Sequence, residues 1–130
     1  MATLVFRDET ATGRELARFE LSDQPEQLTV EEIIRLRVRD EVARHNAAPR
    51  PRFRGLVQPM DTEVELNGYR LATPRRLDWE KQADVAVRAF GRNGFLMFVG
   101  GRQVMDLGEI VDLGVAHDVA FVKLVQLVGG

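Results

Sequence analysis

The chain has 130 residues, with 18 basic and 20 acidic side chains and a formal net charge of −2; this length fits one domain, and the charge balance argues against a dedicated nucleic-acid binder, which is normally clearly basic. Apolar residues make up 45% and charged residues 29%, the composition of an ordinary globular chain and not of a disordered one. Cysteine is absent and the only histidines are His45 and His117, which excludes disulfides, thiol chemistry and cysteine-ligated zinc and leaves no His-rich metal site.

The first element reads as a hairpin. Thr3-Leu4-Val5-Phe6 is rich in β-branched and aromatic residues, residues 8–13 are polar turn material, and 14–21 alternate, with Ala17, Phe19 and Leu21 on one face and Arg18 and Glu20 on the other. Ser22 to Pro25 stops this strand. Thr29 then opens a helix as N-cap, with Glu32 three positions on as its capping-box partner. Val30, Ile33, Ile34, Val38 and Val42 recur at helical spacing, and Arg35, Arg37, Arg39, Asp40 and Glu41 cover the remaining surface. The helix is expected to end near His45-Asn46, before Pro49 and Pro51.

Residues 47–76 read as a loop that contains one hairpin, marked by Asn67-Gly68 between alternating apolar positions. Asp78 can cap a second helix, whose apolar face is Trp79, Ala83, Ala86, Val87 and Phe90 and whose end is marked by Gly91 and Gly94. The last third returns to strands. Residues 95–99 are apolar, Gly100-Gly101 turns the chain, 102–105 pair back, 107–113 read as a short helical turn, and 119–128 form a long apolar strand before Gly129-Gly130.

Catalytic constellations are weak. Ser22 is the only serine, so His117 beside Asp118 has no nucleophile in a triad. Asp78, Glu80 and Asp84 are spaced as a solvated helix face. Arg50, Arg52, Arg54, Arg75 and Arg76 read as a solvated arginine loop. Gly100-Gly101 lacks the strand–GxGxxG–helix setting of a dinucleotide site. No apolar run reaches the ~18 residues of a membrane span, and residues 1–8 carry no signal-peptide pattern. A non-enzymatic, cytoplasmic protein is expected, with no cofactor, metal, membrane or nucleic-acid partner.

A hairpin, a helix across one face and a returning strand that joins the first strand at the sheet centre make a β-grasp, so the expected fold class is α+β: a mixed sheet with one main helix, plus an inserted hairpin and second helix. The C-terminal third resembles the ubiquitin family on named residues. Residues 95–104 match its apolar strand and Gly turn, Ile110-Val111-Asp112-Leu113 is similar to the family's Leu-Ser-Asp-Tyr piece, and the chain closes on a strand and Gly129-Gly130. The resemblance covers 1–46 and 95–130 and leaves 47–94 as an insert within a single domain 1–130, with 126–130 as a flexible tail. The family's arginine five positions from the end is Gln126 here. That departure implies a tail that the eukaryotic ubiquitin machinery does not accept, and the insert and the 16 Arg against two Lys resemble the modifiers of bacterial conjugation operons.

The resemblance implies a protein modifier whose Gly130 carboxylate, beside Gly129, is activated by an ATP-dependent, E1-like adenylating enzyme. Gln126, Leu127 and Val128 would be read by that enzyme, and an E2-like carrier and a deconjugating peptidase would be further partners. Target amines would be joined by an isopeptide bond. Lys81 and Lys123 are the lysines available for self-conjugation, alongside the N-terminal amine. If Val122 and Leu124 face the helix, strand alternation places Met97, Phe121 and Lys123 on the outer face as a partner patch, unless the insert covers it. The insert could instead drive homo-oligomerisation. Two other functions stay open: a β-grasp sulfur carrier ending in a thiocarboxylate, and a non-conjugated β-grasp adaptor.

Overall fold

The computed structural model describes residues 1–49, 51–53, 55–57, 59, 62–65, 68–71 and 76–124. The chain divides into two compact units, Met1–Glu32 with Arg92–Gly130, and Ile33–Gly91. Among the described residues it is an α+β protein with a five-stranded mixed sheet and two helices.

In the first unit, β1 (Ala2–Glu9) and β2 (Glu15–Gln24) form the expected hairpin. β2 runs three residues past the expected stop at Leu21. Its pairing with β1 is regular from Ala17 to Leu21 and shifts register at either end. At the distal end Asp23 takes φ 60, a left-handed conformation that aspartate tolerates better than most residues. Leu16 is the extra residue at the proximal end, where two steps of β2 oppose one step of β1.

β7 (Phe95–Val99), β8 (Arg102–Val104) and β10 (Asp118–Lys123) complete the sheet in the order β2-β1-β10-β7-β8. β1 runs parallel to β10, with Phe6 opposite Val119 and Asp8 opposite Phe121. β7 is antiparallel to β10 and to β8. The β7–β8 turn needs its glycines: Gly100 and Gly101 have φ +56 and +83, and a Cβ on Gly100 would lie 3.1 Å from the Ala116 side chain.

One face of the sheet carries Leu4, Phe6, Met97, Val99, Val119 and Phe121, all buried. A row of phenyl rings crosses it from Phe19 through Phe6 and Phe121 to Phe95, with centroids 5.5, 5.8 and 6.0 Å apart at tilted angles. The expected facing of the last strand is therefore reversed. Met97 and Phe121 are 0% exposed, whereas Leu124 is 44% exposed. The outer face carries Val5, Arg7, Leu96, Phe98, Ala120 and Val122 instead. Ala120 and Val122 are themselves buried, so β10 has apolar neighbours on both faces.

Two short elements were not expected. β3 (Gln27–Thr29) pairs with β9 (Ile110–Asp112), with Leu28 opposite Val111. The expected helical turn over 107–113 is thus a turn at Leu107-Gly108 followed by a strand. The N-terminus of α1 (Val30–Ala47) is fixed nearby, since Val30 N–H donates to the Glu109 carbonyl at 2.9 Å and Glu31 N–H to that of Leu107 at 3.0 Å. The capping box forms as expected. Glu32 N–H donates to Thr29 Oγ1 at 3.1 Å, and Thr29 N–H returns to Glu32 Oε1 at 3.3 Å.

The second unit holds the rest of α1 and α2 (Trp79–Gly91). It also contains a three-stranded sheet in the order β4-β6-β5, built from β4 (Arg52–Phe53), β5 (Thr62–Glu65) and β6 (Gly68–Leu71). β5 and β6 pair antiparallel as a hairpin where Asn67-Gly68 predicts one, but Gly68 stands in β6 opposite Glu65 and not in the turn, and Asn67 lies outside the described residues. β4 replaces part of the expected loop. Asp78 caps α2 as expected, its Oδ1 accepting from Glu80 N–H at 3.0 Å. Buried residues of α1 in this unit include Ile33, Ile34, Val38 and Val42, and those of α2 include Ala83, Ala86 and Phe90. The two helices are linked by Arg35 to Asp84 at 3.0 Å and by the Arg39 guanidinium 5.4 Å from the Trp79 ring centroid.

Candidate functional site

β10 lies between β1 and β7, paired to both, and it delivers the chain to Leu124. The start of β10 is pinned from both neighbouring strands. Val5 N–H donates to the His117 carbonyl at 2.9 Å, and Gly100 N–H donates to the Asp118 carbonyl at 3.0 Å. Arg7 grips the Asp118 carboxylate in bidentate fashion, Nε to Oδ1 at 2.8 Å and a second nitrogen to Oδ2 at 2.5 Å, while its third nitrogen lies 3.1 Å from Glu9. The hydrogen bond to Asp118 raises the Arg7 pKa above its ordinary value; partial burial opposes this, and the charges of Asp118 and Glu9 reinforce it. Arg7 is thus a fixed cation whose role is to hold two strands, with both carboxylates as acceptors.

The expected tail residues Gln126, Leu127, Val128, Gly129 and Gly130 lie outside the described residues. Lys123, the last residue of β10, stands opposite Phe95 and is half-buried. The expected partner patch of Met97, Phe121 and Lys123 does not form, because both apolar members are buried. Lys81 is exposed in the first turn of α2, where its backbone N–H donates to Asp78 Oδ1 at 3.3 Å. Of the five arginines at 50, 52, 54, 75 and 76, only Arg76 has a described side chain, and it is exposed.

The Arg37–Glu41 pair, which the sequence reading placed on the helix surface, is buried. Arg37 is 2% exposed and donates from Nε to Glu41 Oε2 at 2.9 Å. Glu41 also accepts the Leu56 backbone N–H, at 3.1 and 3.2 Å to its two oxygens. Its negative charge acts on Tyr69, whose pKa is raised first by burial and then by Glu41. Gln82 donates to the Val57 carbonyl at 2.9 Å. Asn46 closes a two-way bond with the Leu77 backbone, accepting its N–H at 2.7 Å and donating to its carbonyl at 2.8 Å. The signal for the Arg37–Glu41 pair lay in the spacing. Positions 30, 33, 34, 37, 38, 41, 42 and 45 form one unbroken helical stripe, and all eight are buried.

Glu41, Gln82 and Asn46 each bond backbone groups. Ser22 is exposed on β2, and His117 serves β1 through its carbonyl. Among the described residues no group of three or more His, Asp or Glu is placed to hold a metal ion, and no helix is long and apolar enough to cross a membrane. No family model, curated protein or solved structure matches the chain.

Proposed function

We propose that the chain is a β-grasp protein modifier of the ubiquitin-like kind, and that its Gly130 carboxylate is the reacting group. The observation that carries this reading is the strand order β2-β1-β10-β7-β8 with β1 parallel to β10. It is the order a β-grasp sheet requires, reached through an N-terminal hairpin, a helix and a returning C-terminal strand. In such a protein the folded body performs no chemistry. It presents the segment that follows its last strand, here Leu124 to Gly130.

The chemistry asked of that segment is acyl activation. A carboxylate is a poor acyl donor because its oxygen is a poor leaving group. The Gly130 carboxylate would attack the α-phosphorus of ATP and release pyrophosphate. The resulting acyl-adenylate would lose AMP to a nucleophile of the activating enzyme. A target amine would then take the acyl group as an amide, with net loss of one water. Gly129 and Gly130 suit this passage because they lack Cβ and accept any φ in a narrow channel. Gln126, Leu127 and Val128 would be the side chains the enzyme reads. Lys81, exposed on α2, is the better placed acceptor for self-conjugation, since Lys123 is half-buried within β10.

The test is deletion of Gly129 and Gly130 from the affinity-tagged full chain in its native cells. The unaltered chain should yield covalent adducts that survive denaturation, and the deleted chain should yield none. Adducts of equal abundance from both chains would refute the proposal. So would an unaltered chain recovered only with sulfur in place of a Gly130 oxygen, the product of a sulfur carrier.

A further inference from the structure

We infer that β2 is a self-pairing edge, through which two copies of this chain join antiparallel about Phe19 into one continuous sheet. This inference concerns the folded body and stands apart from the proposed chemistry of Gly130.

Among the described residues β2 pairs with β1 alone and forms one edge of the five-stranded sheet. An edge strand carries main-chain donors and acceptors that another strand can use, and proteins normally interrupt such edges with bulges or charge them to prevent it. Both devices are present on β2, but together they permit one arrangement. The register shifts at either end confine regular geometry to residues 17–21. Within that window the only charges are Arg18 and Glu20, both exposed and of opposite sign, placed symmetrically about Phe19.

Antiparallel pairing of two identical strands about Phe19 sets Arg18 opposite Glu20 of the second copy, and Glu20 opposite its Arg18. Ala17 then faces Leu21, and Phe19 faces Phe19. Faces are conserved, because a twofold axis perpendicular to a sheet keeps each side chain on its own side. Slipping the pairing by one two-residue repeat in either direction sets Arg18 against Arg18 or Glu20 against Glu20, which like-charge repulsion disfavours. The segment is thus complementary to itself in one register.

The competing partner of Arg18 is weak. It bonds Glu15 Oε1 at 3.0 Å, with both side chains largely exposed, and such surface pairs contribute little. On the opposite face the phenyl row from Phe95 to Phe19 would continue across the junction. A five-residue junction is small beside a standard protein interface, so the dimer should be weak, with dissociation between micromolar and millimolar.

Charge reversal with rescue tests this. Sedimentation velocity of the full chain, from about 10 μM to about 1 mM, should show growth from 14.7 kDa towards twice that mass. Arg18→Glu and Glu20→Arg should each move the transition to at least about tenfold higher concentration. The double variant should restore it, because reversed pairs again face each other. A chain that stays monomeric throughout overturns the inference. So does a dimer indifferent to both single reversals, or one that both weaken and the double variant fails to recover. Circular dichroism of the four proteins should be superimposable, since both residues are exposed; a single variant that loses its fold while the double variant keeps both fold and dimer still reports pairing of these two charges.

Discussion

Glu41 carries a charge at a helix position where the neighbouring turns bury isoleucine and valine. It is held there by Arg37 and by the Leu56 backbone N–H. Removing one partner of a buried pair leaves the other uncompensated, which typically costs about 3–5 kcal/mol. Glu41→Ala should destabilise the protein by that amount in denaturant unfolding, whereas replacing Arg37 and Glu41 together with Met and Leu should cost far less. A loss below about 1 kcal/mol in the single variant would mean that the pair is not desolvated. Tyr69, the only tyrosine, gives a second reading of the same charge. Its pKa is raised above the ordinary 10.0, by burial and then by Glu41. The folded state therefore holds the phenol proton more tightly than the unfolded state does. Stability from this group is complete below pH 10 and declines as pH rises through the raised value. Tyr69→Phe should flatten that alkaline decline, and absorbance titration should place tyrosinate formation higher in the native protein than in denaturant. Arg37 was legible in the sequence as a member of the helical stripe, yet its charge argued for the surface. Spacing was the better guide, because a stripe that is buried on both sides of a position takes that position with it.

At the scale of elements, strand faces are read from alternation, and β10 offers none. Asp118 shares its parity with Ala120, Val122 and Leu124, and Lys123 shares its parity with Val119 and Phe121, so each face carries one charge and several apolar residues. A strand with neighbours on both faces needs apolar residues at both parities, and its facing is then set by pairing with β1 and β7. Two substitutions test the observed facing. Phe121→Ala removes a fully buried ring and should cost about 3–5 kcal/mol. Leu124→Ala alters a side chain 44% exposed and should stay within about 1 kcal/mol. The reverse order of costs would restore the facing expected from sequence. Elements with local chemistry were legible: the Thr29–Glu32 capping box, the Asp78 cap, the Gly100-Gly101 turn and the presence of a hairpin near Gly68, although Gly68 itself pairs with Glu65 in β6. β3 and β9 were not, since three-residue strands paired across about eighty residues leave no periodic signal.

At the scale of the molecule, the order of elements was enough to anticipate a mixed sheet in which the first and last strands are neighbours, because a helical connection after a hairpin favours a parallel return. The proposed site is read from sequence alone: Gly129-Gly130 lies outside the described residues, and its proposed role rests on the chemistry of a terminal carboxylate. The residues around the proposed tail bear on the test as well. Trypsin cleaves after Lys123 and finds no lysine or arginine between Leu124 and Gly130, so a conjugated target would keep the whole of that segment on its modified amine. Tandem mass spectrometry of tryptic digests from cells that express the full chain reads this directly. The account predicts branched peptides in which Leu124 to Gly130 is joined through the Gly130 carbonyl to a target lysine. Digests in which that segment occurs only as a free linear peptide, in cells where denaturation-resistant adducts of the chain are present, would contradict it.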